Sequence, residues 1–375
     1  MKIDRVQLWR VRLAFVHTFE TSSHRKTGVE HIVVAATTAD GAVGWGEIAS
    51  PSDPFYCAET TDTCWLIAQR YLVPALLGAE GDSPEEIEAL WARVRGHEFA
   101  KAGFVGAVWD AWAKEQGVSL SRALGGERST VTAGVSLGIE PTYDDLLAQV
   151  DKQVTAGYPR VKLKIAPGWD VDAVQAVRGS YPDLDLHVDA NGVYPGTDEA
   201  MELLSGLDKF NLTMIEQPFA PRDFESHARL QARIDTPVCL DESVVDEHDL
   251  TTMITLNAGR VLNIKASRMG GLSAAKRAHD VARGAGIPVW CGGMHEFGIG
   301  RAANVALSSL PGFTLPSDVS GSDKYYAQDL ISPPVIAHDG QVTVPTAPGI
   351  GHAVDATRIA ELATDSFDSA QEALV

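Results

Sequence analysis

The chain has 375 residues, of which 45% are hydrophobic and 22% charged, a composition typical of folded globular proteins and not of disordered or fibrous ones. Its 50 acidic and 31 basic residues give a formal net charge of −19, so we expect no binding to the phosphate backbone of nucleic acids. No apolar run reaches the roughly 18 residues of a membrane helix, and the first residues lack the apolar core of a signal peptide, so we expect a cytoplasmic protein without a membrane partner.

The first third of the chain predicts a mixed α+β unit. Residues 30–49 are typical of two strands joined by a turn at Asp40, where the following glycine accepts a positive φ at little cost. A helix is expected from Ser83, whose side chain can cap its first turn, and a second helix over residues 99–116. The pattern breaks at a glycine pair, and we place a domain boundary after residue 125.

From residue 131 onward, apolar segments alternate with amphipathic ones. Continuous Val/Ile/Leu runs between helices are typical of parallel strands buried on both faces. The apolar runs are residues 131–137, 160–165, 184–191, 212–218, 237–243, 260–266, 287–293 and 313–318. Eight is the strand count of a closed (β/α) barrel, so we predict a barrel over residues 126–320. The remaining segment, residues 321–375, is loop-like and is expected to pack back on the N-terminal domain.

Charged side chains stand at the ends of five predicted strands. Their successive separations are 25, 27, 25 and 24 residues, about one βα unit each: Lys164, Asp189, Glu216, Asp241 and Lys265. Buried charges cost desolvation energy and need a reason, and the C-terminal strand ends of a barrel form its active-site face. The repeat therefore predicts three carboxylates and two lysines in one barrel mouth.

Three carboxylates without a histidine are typical of a site for a hard cation with oxygen ligands. Mg²⁺ fits because it keeps coordination positions open for water or substrate. For any single acid, a helix cap or a loop salt bridge is an equal alternative, but three acids in phase favour a metal site. We therefore predict Asp189, Glu216 and Asp241 to be ligands of Mg²⁺, with Mn²⁺ or Co²⁺ as substitutes.

The lysines suggest acid/base chemistry. Lys162 and Lys164 are two residues apart in a strand, so their side chains share one face, roughly 6–7 Å apart. Like charges at that distance are expected to lower a lysine pKa towards that of a base. Lys265 comes three strands later and should approach from across the mouth, which would give the two bases that inversion at carbon requires. The alternative, a solvated strand edge, fits poorly because a barrel has no free edge.

Weaker candidates lie beside these strand ends. Asn191 and Gln217 follow two of the acids and could contact metal-bound water, or could simply be turn residues. Gly292 and Gly293 end the seventh run and could let a substrate approach the backbone, although glycine pairs also mark plain turns.

These segments together resemble the enolase superfamily, its muconate-lactonising subgroup, and within it the N-acylamino acid racemase/o-succinylbenzoate synthase family. The resemblance covers nearly the whole chain. It is carried by GWGE (44–47), KLKIAPGWD (162–170), VDAN (188–191), IEQP (215–218), CLDES (239–243), NIKASRMGG (263–271), WCGGMHEFGIGRAANVALSSLPGFTLPSD (290–318) and SGSDKYY (320–326).

The resemblance implies a fold and a chemistry. The fold is an α/β protein with a modified (β/α)₇β barrel and an α+β capping domain formed by residues 1–125 and the C-terminal segment. The three carboxylates would be the Mg²⁺ ligands, Lys164 and Lys265 the acid/base pair, and Lys162 an assistant that binds the substrate carboxylate. The implied step is removal of a proton α to a carboxylate, giving an enediolate that Mg²⁺ and the lysines stabilise. Family members are often dimers or octamers, so a homo-oligomer is expected.

Two reactions of the family fit equally. Racemisation of an N-acylamino acid, in particular an N-succinylamino acid, would use Lys164 and Lys265 on opposite faces. In o-succinylbenzoate formation, a step of menaquinone synthesis, Lys164 would remove the proton and assist hydroxide departure while Lys265 stabilises the anion. The motifs leave open a racemase, a racemase with synthase activity and a dedicated synthase.

Other activities are less favoured by the residues. Dipeptide epimerases typically carry an acidic motif where this chain has GGM, and muconate cycloisomerisation ranks with that activity. A Schiff-base aldolase barrel also carries lysines at strand ends, but it needs no metal, and the three acids in phase argue against it. A barrel retained only for binding would be expected to lose one of the five charged positions, and all are present.

The chain departs from the family pattern at the end of the seventh run. His295 and Phe297 stand where family members usually carry an aliphatic residue and a threonine, which puts the acyl-group preference in question. His24, Arg25 and Lys26 are candidate contacts for an anionic acyl group, or part of a solvated loop. The further predicted contacts to substrate or to the ligands are Phe19, Tyr56, Ser136, Glu242, Arg268 and Met294.

Overall fold

The computed structural model describes residues 1–20 and 25–371. The N-terminal part contains β1 (Ile3–Glu20), β2 (Arg25–Thr38), β3 (Val43–Ile48), α1 (Thr61–Ile67), α2 (Val73–Leu76), α3 (Pro84–Glu88), α4 (Glu98–Glu115) and α5 (Leu120–Leu124). The middle part contains β4 (Thr130–Thr132), β5 (Val135–Leu137), α6 (Tyr143–Thr155), β6 (Arg160–Lys164), α7 (Val171–Ser180), β7 (Asp185–Asp189), α8 (Asp198–Ser205), β8 (Ile215–Glu216), α9 (Phe224–Gln231), β9 (Val238–Leu240), α10 (Glu247–Leu256), β10 (Val261–Ile264), α11 (Leu272–Gly284), β11 (Val289–Cys291) and α12 (Gly298–Ser308). The C-terminal part contains β12 (Ile331–Ser332), β13 (Ala337–His338), β14 (Gln341–Thr343), β15 (Ala353–Val354), α13 (Ala356–Leu362) and β16 (Ala363–Asp368).

The N-terminal strands form an antiparallel sheet, which we call the capping sheet, with the strand order β16-β1-β2-β3. Helix α4, which the sequence predicted, packs directly on the backbone of β3. A Cβ atom at Gly44 would lie 2.0 Å from the carbonyl oxygen of Ala107, and one at Gly46 would lie 1.9 Å from that of Gly103. The two strand glycines therefore set how closely helix and sheet approach each other.

The middle part forms a parallel sheet of seven strands in the order β11-β10-β9-β8-β7-β6-β5. Helices α6 to α12 follow or connect these strands, which confirms the predicted α/β barrel fold. The prediction of an eighth strand is wrong, because this segment does not pair continuously with a neighbouring strand. In the described part of the chain, residues 313–318 make only two isolated bridges, from Phe313 to Val289 and from Ser317 to Ala133. Pro316 lies within that run and has no backbone N–H to donate, which limits regular pairing there.

The C-terminal segment is more structured than the predicted loop. Strands β13 and β14 extend a small antiparallel sheet that includes β4, so residues 130–132 leave the first predicted barrel strand. Strand β16 pairs with β1, where Asp368 accepts a 3.0 Å hydrogen bond from Nε of Arg5. The boundaries after residues 125 and 320 stay predictions. Among the described helices, none has the length and apolar character needed to cross a bilayer.

The register of the parallel sheet brings the predicted charged residues to one edge. Lys164 is opposite Asp189, and Asp189 is opposite Glu216, each at the last position of its strand. Glu216 is opposite Cys239, so Asp241 lies two residues further along, directly after β9. Since all strands run parallel, these side chains meet at the C-terminal end of the sheet, as the sequence predicted.

Candidate active site

Three carboxylates form a buried row at the strand ends, and their environments differ. Burial and the neighbouring Asp189 carboxylate raise the pKa of Glu216 to about 8. Burial acts in the same direction on Asp189, but Lys164 and Lys162 hold the pKa of this acid below its usual range. At Asp241 burial is likewise outweighed, because Lys265 and Arg268 lower its pKa. The neighbouring cations therefore favour the ionised forms of Asp189 and Asp241, whereas burial and the repulsion from Asp189 favour the protonated form of Glu216.

A lysine lies against the acid at each end of this row. Nζ of Lys164 is 2.6 Å from Oδ2 of Asp189 and donates a second hydrogen bond, of 2.7 Å, to Oδ1 of Asn191. Nζ of Lys265 is 2.7 Å from Oδ2 of Asp241. Both amines come from strands on either side of the three acid-bearing strands, so they approach the row from opposite sides.

Lys162 is the most enclosed of the three lysines. Its amine lies 3.0 Å from Glu216, 3.1 Å from Asp318 and 3.4 Å from Asp189, and 4.7 Å from the ring centre of Trp290. Burial alone would lower its pKa, but the charges of these acids, Asp318 first, raise it. The expected lowering of a lysine pKa by the Lys162–Lys164 pair is therefore wrong for Lys162, because acids outnumber the neighbouring amine.

A cavity of about 280 Å³ opens above the row. The predicted residues that line it are Phe19, Tyr56, Ser136, Lys162, Lys164, Asn191, Glu242, Lys265, Gly293, Met294 and His295. The predicted residues that do not line it are Asp189, Glu216, Asp241, Arg268 and Gly292. The two lysines proposed to act on carbon thus face one shared space, while the acids lie behind them.

Tyr56 and Arg268 surround Asp241 together with Lys265. The Tyr56 hydroxyl donates to Oδ1 of Asp241 at 3.0 Å and accepts from Nζ of Lys265 at 3.3 Å. Arg268 forms an ion pair with the same carboxylate, and its Nε donates to the carbonyl oxygen of Val244 at 2.9 Å. Arg268 and Lys265 therefore share one acid. Burial and, directly, the positive charge of Arg268 would lower the pKa of Lys265, but Asp241 raises it well above its ordinary value.

Gly292 is predicted as a place of close approach, and the structure gives it a specific partner. A Cβ atom there would lie 2.3 Å from Oδ1 of Asn263 and 2.7 Å from Cε of Lys265. The glycine thus makes room for the side chains of Asn263 and Lys265, and the approach of a substrate to its backbone stays a prediction.

Two polar residues beside the row have different surroundings. Asn191, at a φ of +48°, links Lys164 to Glu242, to which its Nδ2 donates at 3.0 Å. Gln217 accepts a 3.0 Å hydrogen bond from the backbone N–H of Asp241 and donates one of 2.7 Å to Ser243. Gln217 therefore ties adjacent strand ends together and does not line the cavity.

His295 and Phe297, the two departures from the family pattern after the seventh strand, lie in different surroundings. His295 lines the cavity and packs against Phe19, with ring centres 4.7 Å apart. Burial, followed by the charge of Lys26, holds the pKa of His295 well below its usual range, so the ring is neutral. Phe297 is fully buried beside His31, 4.9 Å between ring centres, and is not part of the cavity wall.

The three candidate contacts for an anionic acyl group differ in their position relative to the cavity. Lys26 lines the cavity. The Arg25 side chain is 70% exposed and its nearest acid is Glu20, at 3.9 Å. His24 lies outside the described residues. Of the two that the structure describes, only Lys26 therefore remains a candidate.

Sequence reasoning missed several residues that contact the row. Asp318 pairs with Lys162 and accepts from Ser136 at 3.0 Å. Asn263 donates to Glu216 at 2.7 Å, and His187 lies 2.9 Å from the same acid. Asp318 has the same sequence signal as the three predicted acids, because it ends an apolar run. Asn263 and His187 lie inside strands and have no such signal.

The donor set fits a hard cation. Burial raises the pKa of Glu242 to about 7, with the charge of Asp241 acting in the same direction, and its buried Oε2 has no hydrogen-bond partner among the described residues. A cation beside this group would relieve the repulsion between the acids. In the residues that the structure describes, however, no three acidic, histidine or cysteine side chains converge to metal-binding distance, because the lysines lie between them.

Comparisons with known proteins agree with this architecture. Residues 6–125 match the family described as "Mandelate racemase / muconate lactonizing enzyme, N-terminal domain", and residues 145–358 match "Enolase C-terminal domain-like". The chain is 44% identical to an o-succinylbenzoate synthase of Geobacillus kaustophilus, over 96% of this chain and 95% of that protein. It is also 44% identical to an N-succinylamino acid racemase of Amycolatopsis, over 94% and 95%. An enolase superfamily crystal structure from Listeria innocua is similar with a TM-score of 0.94 and 36% identity, covering 98% of each chain.

Proposed function

This chain belongs to the enolase superfamily, through its mandelate racemase/muconate lactonizing enzyme family, and on that premise we propose that it racemises N-acylamino acids, N-succinylamino acids in particular. Members of this superfamily are divalent-metal-dependent enzymes, and the relatives act on small carboxylates. The step would be removal of the proton α to the carboxylate, followed by return of a proton to either face. We retain our prediction of a cytoplasmic homo-oligomer.

One observation carries the proposal: Lys164 and Lys265 face the same cavity from opposite sides of the acid row. A planar enediolate held between two amines can receive a proton on either face, which inverts the α-carbon. Each amine has its own acid partner, Asp189 for Lys164 and Asp241 for Lys265. The acid would hold the amine in position and stabilise its positive charge when the amine takes up a proton. Lys162 supplies a third positive charge at the same end, suited to the substrate carboxylate.

Mg²⁺ is the cofactor we propose, held by Asp189, Glu216 and Asp241. Two observations support this proposal. The donor set consists of oxygen atoms, and burial together with the neighbouring acids raises the pKa of Glu216, so that its anion needs a nearby positive charge. When bound, Mg²⁺ would supply positive charge close to the substrate carboxylate. Lys162 and Lys164 would then be freed in part from their acids and be available to the substrate.

A second candidate is the dehydration that yields o-succinylbenzoate. The observation that favours it is the equal identity, 44%, to a relative of that name. This reaction needs one working base, Lys164, while Lys265 serves as a fixed cation beside the anion. Both activities use the same cavity, so one protein can carry both.

Isotope exchange distinguishes racemisation from o-succinylbenzoate formation. N-succinyl-L-phenylalanine is incubated with the protein and Mg²⁺ in D₂O, and the α-proton signal and the optical rotation are followed together. We expect the α-proton signal and the rotation to decay at comparable rates, because both lysines exchange protons with solvent. Exchange without loss of rotation would contradict the racemase and indicate a single working base. No exchange by a folded, Mg²⁺-loaded protein would leave the synthase, which is tested by its own dehydration assay.

A further inference from the structure

At the capping-sheet side of the cavity lies a cation that has no partner among the residues that the structure describes. Lys26 is the second residue of β2, directly opposite Phe19 of β1, and its half-buried side chain lines the cavity. Among the described residues, none accepts a hydrogen bond from its Nζ or lies within ion-pair distance. Asp53 attracts it through space only, and that side chain is exposed.

The other cations of the cavity are matched. Lys164 and Lys265 each have an acid within 2.7 Å, and Lys162 lies 3.0 Å from Glu216. Arg301 donates to backbone carbonyl oxygens, at 2.8 and 3.0 Å. Among the lining cations that the structure describes, Lys26 is therefore the one whose charged group has neither an acid nor a carbonyl oxygen as its acceptor.

The surroundings make this charge costly without a ligand. Burial lowers the pKa of Lys26 to about 8, and Lys164 and Lys265 act in the same direction although Asp53 opposes them. A pKa near 8 still leaves the amine mostly protonated at neutral pH. An anion beside it would remove this penalty, whereas an uncharged group would not.

The cavity wall beside Lys26 is apolar and its rings carry no charge. His295 is neutral and is packed edge-on against Phe19, with Tyr325 at 5.3 Å between ring centres. These rings form an apolar side on which a short methylene chain can pack. Because Lys26 lines the same cavity and lies close enough to His295 to lower its pKa, a chain that packs on these rings can bring a terminal anion to the Lys26 amine.

We propose that Lys26 binds a second anionic group of the substrate, the terminal carboxylate of a dicarboxylic acyl chain, and so makes the enzyme selective for doubly over singly anionic substrates. This inference rests on the proposed function only in taking a carboxylate to occupy the space between the reacting lysines. It applies equally to racemisation and to dehydration, because the succinyl carboxylate is remote from the bonds that change. Lys26 is then a specificity-determining residue and not a base.

The test compares two substrates and three variants. N-succinyl-L-phenylalanine and N-acetyl-L-phenylalanine differ in the terminal carboxylate and in one methylene. We expect Lys26→Met to raise KM for the succinyl compound about tenfold or more, to leave kcat nearly unchanged, and to leave KM for the acetyl compound within twofold. Lys26→Arg keeps the charge and should retain most of the preference. Arg25→Met removes one positive charge from the same hairpin but outside the cavity, and should change neither KM.

The outcomes distinguish this inference from the proposed function. Equal changes for both substrates in Lys26→Met, or no change for either, would overturn the role of Lys26. If the wild-type protein turns over neither compound, the proposed function fails, and calorimetric titration of both compounds into the Mg²⁺-loaded protein decides the inference. Tighter binding of the succinyl compound that is lost in Lys26→Met supports it, and equal binding of both compounds by the wild type refutes it.

Discussion

Glu47 of the capping sheet accepts a hydrogen bond of 2.8 Å from the backbone N–H of Phe297, the residue that precedes helix α12 of the barrel. The other oxygen of the carboxylate accepts from the N–H of Gly300, also at 2.8 Å, and His31 lies 2.7 Å away. A single buried carboxylate thus caps a barrel helix from the other domain. The loop that carries His295 into the cavity ends at this contact.

This contact predicts a large loss of stability in Glu47→Ala. Two backbone N–H groups and a buried histidine would lose their carboxylate partner, so we expect the free energy of unfolding to fall by about 3 kcal/mol or more. Urea unfolding checks it. Lys276→Gln, which removes an exposed pair of 2.8 Å with Asp280, should cost less than about 0.5 kcal/mol. A similar small loss in both variants would contradict the role of Glu47.

The two lysines predict complementary defects. Lys164→Met and Lys265→Met should each lower racemisation by at least about a thousandfold, because each removes the base from one face. Each variant should still exchange the α-proton of one enantiomer in D₂O, and the two should differ in which one. Loss of exchange with both enantiomers in both variants would indicate that the amines act as one unit. Circular dichroism provides the folding control.

Gly292 predicts a defect in kcat. The Cβ atom of Gly292→Ala would meet Oδ1 of Asn263 at 2.3 Å and Cε of Lys265 at 2.7 Å, so both side chains must shift, and we expect kcat to fall at least about tenfold. Gly179 in helix α7 is the matched control, since a Cβ atom there meets nothing within 4 Å. Gly179→Ala should leave kcat unchanged and raise the free energy of unfolding by about 0.5–1 kcal/mol. An unchanged kcat in Gly292→Ala would mean that Lys265 tolerates the displacement.

Metal removal predicts complete and reversible inactivation. A chelator should abolish α-proton exchange, because the buried carboxylates alone cannot stabilise charge on the substrate. Excess Mg²⁺ should restore it, and a chelator saturated with Mg²⁺ beforehand should have no effect. Calorimetry should detect Mg²⁺ binding to the wild type and much weaker binding to Glu216→Gln. Exchange that survives chelation would contradict the proposed metal site.

Glu88 predicts a pH dependence of stability. Its carboxylate accepts hydrogen bonds from Trp109 of the capping part, at 3.2 Å, and from Ser273 of the barrel. Burial raises its pKa from 4.5 to about 7. The folded state therefore binds more protons than the unfolded state between these values, so stability falls as pH rises from about 4.5 to about 7.

Glu88→Gln removes this titration. Relative to the variant, the wild type should lose about 2–3 kcal/mol between pH 5 and pH 8. Unfolding in urea at both pH values measures the difference, and Glu361→Gln, at an exposed position that does not act on Glu88, should follow the wild type. Parallel pH profiles of the wild type and Glu88→Gln would contradict the prediction.

The sequence predicted the elements whose signals are local. The Ser83 cap, the helix at 98–115 and the strand ends at Lys164 and Asp189 all appear where periodicity and spacing indicated them. The strand repeat also predicted one shared mouth, because parallel strands leave their C-terminal residues at one edge.

What the sequence did not predict depends on distant contacts. The raised pKa of Lys162 depends on Asp318, more than 150 residues away, so the lysine pair alone gave the wrong direction. Phe297 lies under His31, and no local signal indicated that its ring turns away from the cavity. The run ending at Asp318 was predicted as a strand from its apolar residues, whereas its backbone makes only isolated bridges.

The pairing of β16 with β1 has a consequence for synthesis of the protein. Residues 363–368 are synthesised long after β1 and after all the strands of the parallel sheet, and until they arrive β1 has one unpaired edge. The sheet that carries Lys26 and Glu47 therefore reaches the strand order β16-β1-β2-β3 only after the whole parallel sheet has been synthesised. A nascent or prematurely terminated chain presents an open strand edge, which is a binding site for chaperones and a seed for aggregation.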